Sequence, residues 1–134
     1  MQAIQKTQKA IYTLLKAQTT GELANINGVF HYTPQETNFP YVHIGEGKFE
    51  EISDFKNEIF KVNTKINIFD RSKSNSTVMI LCDEIRILLV NIYNLSVENY
   101  SVLDCRHKEC KVSLNNDGKT WKGEMIFEVI VKKS

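Results

Sequence analysis

Between Glu58 and Asp70, Phe60, Val62, Thr64, Ile66 and Ile68 occupy one parity of the chain, and Lys61, Asn63, Lys65 and Asn67 occupy the other. Successive side chains of a strand point to opposite sides of a sheet, so this spacing predicts a strand with one face on a core. A chain carrying such a strand must bring other elements to its apolar face. Ser74-Asn75-Ser76-Thr77 offers capping side chains for a helix in which Val78, Leu81, Ile85, Leu88 and Ile92 step by three and four. Gln2 to Gln18 forms a second helical stripe through Ile4, Ala10, Ile11, Leu14 and Leu15, with Gly21 just beyond it.

The remaining elements are shorter. Val29-Phe30-His31-Tyr32 reads as a strand ended by Pro34. In Phe39-Pro40-Tyr41-Val42-His43-Ile44 the proline has no N–H to donate, so Pro40 should open the strand or lie on a sheet edge, with Gly45 and Gly47 closing it. No period holds from Glu46 to Lys56, which predicts a mobile surface loop. Tyr100–His107 and Lys111–Leu114 read as two strands, and Asn116-Asp117-Gly118 is a hairpin turn signal. The closing strand, Trp121–Lys132, alternates Met125, Phe127, Val129 and Val131 against Glu124 and Glu128. Ile126 and Ile130 make its second face partly apolar, an expected site for a neighbouring subunit.

This order predicts one α+β domain: a mostly antiparallel sheet of four to six strands with two helices packed on one face. At 134 residues the chain has room for one domain, and its 42% hydrophobic and 25% charged residues are the proportions of a protein that buries a core. The long strand, its helix and a later strand form a right-handed crossover if the two strands run parallel in one sheet.

Seventeen Lys and Arg against sixteen Asp and Glu leave a charge of +1, too little to pull the molecule onto nucleic acid or an anionic membrane. Lys and Arg are scattered among acids rather than striped between aromatic residues, which argues against sequence-specific nucleic-acid binding. The opening Met1-Gln2-Ala3-Ile4-Gln5-Lys6 lacks the features of a signal peptide, and Asp83, Glu84 and Arg86 interrupt the most apolar region. A soluble, intracellular protein is expected. Cys82, Cys105 and Cys110 are an odd, sparse set, expected as free thiols in a reducing cytoplasm.

Little in the chain points to catalysis. There is no G-x-S-x-G, phosphate loop, dinucleotide fingerprint or H-E-x-x-H helix. His31 and His43 lie on predicted strands and read as edge or interface side chains rather than catalytic bases. Cys105, His107 and Cys110 put three soft ligands within six residues, but zinc needs a fourth and the spacing matches no standard site, so an ordinary turn is expected and no metal or cofactor. Cys82 reads as a small core hydrophobe. Asn115-Asn116-Asp117-Gly118 lacks the later acidic ligand of a calcium loop and reads as a turn. The second helix keeps its stripe for only about two heptads, short of a coiled-coil seam. The hardest segment to explain structurally is Glu46–Glu58, where Phe49, Ile52 and Phe55 sit among Glu46, Glu50, Glu51, Asp54 and Glu58. Either these apolar residues fold back on the domain, or they await a partner.

Taken in order, Ile11-Tyr12-Thr13-Leu14-Leu15-Lys16-Ala17 in the first helix, Gly28-Val29-Phe30, Pro34, Phe39-Pro40-Tyr41-Val42, the long alternating strand, the Val78–Ile92 helix and Asp117-Gly118-Lys119-Thr120-Trp121-Lys122-Gly123 resemble the tail-completion family. Its members, also called tail terminators or head-tail joining proteins, occur in long-tailed bacteriophages, prophages and gene transfer agents. The resemblance spans nearly the whole chain and rests on the order of the pieces; Cys105 and Cys110 lie outside the pattern.

The resemblance implies a non-enzymatic subunit that caps the tail tube as a hexameric ring, stops tail polymerisation and offers a joining surface to the head connector. Its implied partners are further copies of itself, the major tail tube protein and the head connector, with DNA only passing through the lumen and no membrane contact. Assembly is then expected in the host cytoplasm, and residence in the virion tail at the head-tail interface. A repeated heterologous contact closes into a ring, and sheet edges that would otherwise invite aggregation supply the joint. Two surfaces follow as candidates: Phe49, Ile52 and Phe55 for docking on the tube, and the Tyr41, Val42 and His43 strand for subunit contact. The competing expectations are a small oligomeric α+β binding module of unrelated function and an enzyme using Cys105 and His107.

Overall fold

The central feature of the computed structural model, which describes residues 2–134, is the strand expected from the Glu58–Asp70 alternation. It runs from Ile59 to Asp70 as β3 and is hydrogen-bonded on both sides. Before it come α1 (Gln2–Lys16), β1 (Val29–Phe30) and β2 (Tyr41–Glu51); after it come α2 (Ser76–Val90), β4 (Tyr100–Leu114) and β5 (Trp121–Lys133). Short 3-10 turns at Glu22–Asn25 and Ile92–Asn94 follow the two helices. The five strands form one sheet in the order β1-β2-β3-β5-β4. Only the two-residue β1 pairs in parallel, with β2; every other pair is antiparallel.

Both β3 and β4 run antiparallel to β5, so they are parallel to each other with β5 between them. The β3–α2–β4 connection therefore crosses over one intervening strand. Phe60, Val62, Ile66 and Ile68 of β3 pair across from Val131, Val129, Met125 and Gly123 of β5, and this face carries the core. Its fully buried members include Phe127, Ile11, Leu15, Ile44, Leu81, Ile85 and Leu89. Each such aliphatic side chain contributes about 1.5–3 kcal/mol on leaving water.

Both helices lie on that face, and two glycines set how closely they sit. A Cβ on Gly47 of β2 would stand 2.7 Å from Cγ2 of Ile4 in α1, and one on Gly123 of β5 would stand 2.7 Å from Cγ1 of Val78 in α2. In α1 the buried stripe is Ala3, Thr7, Ala10, Ile11 and Leu15, with Ile4 and Leu14 only half-buried at its margins. In α2 it is Val78, Leu81, Cys82, Ile85 and Leu89; Leu88 is half-buried, and Ile92 falls in the 3-10 turn rather than the helix. Asn75 is the α2 N-cap, but its side chain makes no capping bond. No described helix is long and apolar enough to cross a membrane.

Three sequence expectations require correction. Gly45 and Gly47 do not close the second strand. The pairing instead shifts between Ile44↔Ile66 and Gly47↔Thr64, which places one extra residue in β2, and the strand continues to Glu51. The stretch from Glu46 to Glu51 is consequently the far half of β2 rather than loop, and residues 52–56 lie in the connection between β2 and β3. Finally, Tyr100–His107 and Lys111–Leu114 are one strand, β4, carrying two extra residues where its pairing shifts between Val102 and Asp104 and between His107 and Glu109. Each extra residue reverses the inward-outward alternation, which broke the sequence pattern into pieces.

Candidate interaction surfaces

β2 and β3 form a long hairpin whose end holds the first candidate surface. Because of the extra residue in β2, Phe49 lies opposite Val62 on the helix-bearing face, where its ring meets Phe60 edge-on at 6.0 Å between centroids. Phe49 is nevertheless 39% exposed. Beyond Glu51 the turn is tied by its own polar groups. Ile52 N–H donates to the Ile59 carbonyl at 2.8 Å, Ser53 Oγ accepts from Ile59 N–H at 3.0 Å, and Asp54 Oδ1 accepts the N–H groups of Lys56 and Asn57 at 2.8 and 2.7 Å. Those bonds pull the Asp54 carboxyl below its ordinary pKa. Ile52 is partly exposed, and Phe55 stands at the turn wholly exposed. Of the three apolar residues, Phe49 thus packs partly onto the domain, whereas Phe55 is held out by an ordered turn.

At the opposite end of the hairpin lies the second candidate strand. Val42 is fully buried, Tyr41 is 7% exposed and His43 is half-buried, so of these three only His43 keeps appreciable side-chain surface. Tyr41 stacks on Phe69 at 5.0 Å and lies 5.4 Å from Phe39 and 5.9 Å from Phe30. The Arg71 guanidinium sits over the Phe39 ring at 4.6 Å, and the Lys122 ammonium over Phe69 at 5.9 Å. This cluster of aromatic rings and cations on the sheet's open face was not anticipated from sequence, because its members come from β1, β2, β3, β5 and the segments just before β2 and after β3. Asn67 Nδ2 and His43 Nδ1 are 3.1 Å apart; with the amide as donor, Nδ1 is the acceptor. Burial, followed by the charges of His31 and Lys122, lowers the His43 pKa and favours the neutral ring.

The rest of the open face is a lattice of paired charges. Lys65 lies 3.0 Å from Glu124 and 3.3 Å from Glu46, while Glu128 lies 3.6 Å from Lys61 and 3.2 Å from Lys108. The hydrogen bond to Glu124 is the largest cause of a raised Lys65 pKa, and the reciprocal bond lowers that of Glu124. Lys108 is the extra residue at the second irregularity of β4. Ile126 and Ile130, the apolar members of this face, are half-buried among these chains.

Cys105, His107 and Cys110 share the helix-bearing face of β4, opposite Val129, Phe127 and Met125. The His107 ring packs on Phe127 at 5.0 Å, with Nε2 3.0 Å from the Glu109 carbonyl. Among the described residues no three His, Cys, Asp or Glu side chains converge to hold a metal. Burial first, then the Asp104 charge, pushes the Cys105 thiol up to about 12, the reverse of what a nucleophilic cysteine needs. An open groove of about 530 Å³ between α1 and β1 is lined by Tyr12, Lys16, Phe30, His31 and Tyr32.

Two further side chains with positioning roles were missed. Gln8 of α1 donates through Nε2 to the Gly45 carbonyl at 3.0 Å and to Thr64 Oγ1 at 3.1 Å, securing the irregularity in β2. Glu84 of α2 accepts the backbone N–H groups of Glu22 and Leu23 at 3.0 and 3.2 Å. A polar residue on a helix reads as solvated unless its partner is known, so neither left a sequence signal.

No protein-family model matches the sequence, and no curated protein does either. Among solved structures the fold has a counterpart: a chain described as "Virion of native gene transfer agent (GTA) particle" superposes with a TM-score of 0.83 at 14% identity, over 98% of this chain and 99% of that one.

Proposed function

We propose that this chain is a structural component of a phage-like particle, and more specifically a ring subunit that caps the tail tube and joins it to the head. The observation that carries this reading is the likeness of the whole fold, end to end, to a chain from a gene transfer agent virion. The order of sequence elements resembling tail-completion proteins supports the same reading independently.

In this role the β2–β3 hairpin docks on the last ring of tail-tube protein through Phe55, with Ile52 and Phe49 behind it and a rim of Glu50, Glu51, Asp54 and Glu58. Apolar anchors within a polar rim are the usual carriers of binding energy. The strand with Tyr41, Val42 and His43 serves subunit contact through His43 and the Phe39–Arg71 cluster, while the buried Val42 and Tyr41 anchor that strand to the core. DNA only passes through the lumen. No bond is made or broken.

The test is mass measurement of the purified chain alone and mixed with the tail-tube protein from the same genome. A ring in either sample, taken as hexameric, is expected, and Phe55→Asp should prevent joining to the tube while leaving self-association intact. A monomer in both samples, or normal particles from the Phe55→Asp variant, overturns the ring reading and the docking reading respectively.

A further inference from the structure

Two of the three thiols flank Gly123 at the helix–sheet interface, Cys82 from α2 above it and Cys110 from the neighbouring strand. Cys82 of α2 is buried and Cys110 of β4 is exposed. Gly123 gives Cys82 its place: the missing side chain leaves room for the Cys82 sulfur, which lies 2.9 Å from where a Cβ would be. On the neighbouring edge strand, Val112 pairs with Gly123 and Cys110 with Met125, so Cys110 is on the same face, one inward-facing position along from Val112. β4 is the border of the sheet, and Cys110 is exposed on it.

We infer that Cys82 and Cys110 form an oxidation site, closing to an intramolecular disulfide that staples α2 to the border strand β4 when a small-molecule disulfide of the glutathione class is available. The exposed Cys110 thiolate attacks one sulfur of that reagent, RSSR, forming a mixed disulfide and releasing RS⁻, which takes up a proton. Cys82 then loses its proton to water, attacks the Cys110 sulfur and expels the second RS⁻. The balance is two protein thiols plus RSSR giving one protein disulfide plus two RSH.

The order of attack follows from the surroundings. Burial first, and the adjacent Cys110 second, push the Cys82 thiol up to about 12, so Cys82 is the poor initial nucleophile and acts only once its neighbour presents an activated sulfur. Cys105 is buried opposite Val129 and stays out of the exchange. The staple is distinct from the docking surfaces proposed above. Its occasion rests on the virion reading, in which a particle leaves a reducing cell for an oxidising exterior.

The test uses the full chain, purified reduced and then incubated with oxidised glutathione. Expected are a mass loss of about 2 Da, titratable thiols in denaturant falling to the one of Cys105, a cross-linked peptide pair containing Cys82 and Cys110, and a melting temperature higher by roughly 5–15 °C. Cys105→Ser should behave identically, and Cys110→Ser should lose the cross-link and the thermal gain. A stable glutathione adduct on Cys110 with Cys82 still free, a Cys110-linked dimer, or no reaction each overturns the inference.

Discussion

The Glu84 carboxylate on α2 accepts the backbone N–H of Leu23 at 3.2 Å, holding the start of the 3-10 turn that follows α1 against the second helix. Its other oxygen takes the Glu22 N–H at 3.0 Å, so one side chain satisfies two donors that have no partner within the turn. Gly21, at φ +71°, brings the chain so close to this carboxylate that a side chain there would collide with it. Glu84→Ala should destabilise the protein by about 1–3 kcal/mol, because charge-assisted bonds are lost and two backbone donors are stranded. Glu84→Gln keeps an acceptor and should cost about half as much. Urea denaturation of the three proteins checks the order.

Gly123 carries a similar constraint in the sheet. An added Cβ would stand 2.7 Å from Val78 Cγ1 and 2.9 Å from the Cys82 sulfur, so Gly123→Ala should cost about 1–3 kcal/mol through overpacking. Combining it with Val78→Ala should recover part of that loss, a coupling readable in a double-mutant cycle. Additive losses would mean that α2 does not rest on β5 at this point.

The two exposed phenylalanines of the hairpin should separate cleanly. Phe49 packs on Phe60, so Phe49→Ala should lower stability by about 1–2 kcal/mol. Phe55 is wholly exposed, and Phe55→Ala should change stability by less than about 0.5 kcal/mol. Thermal denaturation measures both, and only the second substitution gives a clean reading of docking.

Asp117 should give the β4–β5 turn its dependence on pH. Its carboxylate accepts from Thr120 Oγ1 at 2.7 Å, Lys119 N–H at 2.8 Å and Thr120 N–H at 2.9 Å, and these bonds lower its pKa from 3.8 to about 2. A depressed carboxyl pKa stabilises the fold fully above the unfolded value, and that contribution disappears as pH falls through the folded one. The stability gap between the native chain and Asp117→Ala should therefore be constant above about pH 5 and shrink steadily between about pH 4 and 2. Urea midpoints across that range check it; a gap independent of pH would assign the turn's stability to Gly118 and the backbone alone.

How much was legible depended on whether alternation stayed unbroken. β3 pairs with β5 without irregularity, and its parity could be read directly from Phe60 to Ile68. In β2 the extra residue near Gly45 puts Val42, Ile44 and Phe49 on one face although their numbers differ in parity, so the far half of the strand looked patternless. Two such residues in β4 made a single strand look like two. α2 was legible from its apolar steps, but its Ser-rich approach overstated the cap, since the Asn75 side chain makes no such bond. The apolar hairpin residues stood out by composition. The Tyr41–Phe69 and Cys82–Cys110 neighbourhoods did not, because only strand register and the packing of α2 on the sheet bring their members together.

β3 is bonded to a neighbour on either side along its length, whereas β1 is held by two residues on one flank. Its amides should exchange with solvent only when the whole sheet opens, and those of β1 through local fraying. The molecule is thus graded in stiffness from a hard centre to yielding borders, so whatever binds at its margins reshapes the parts that cost least to move.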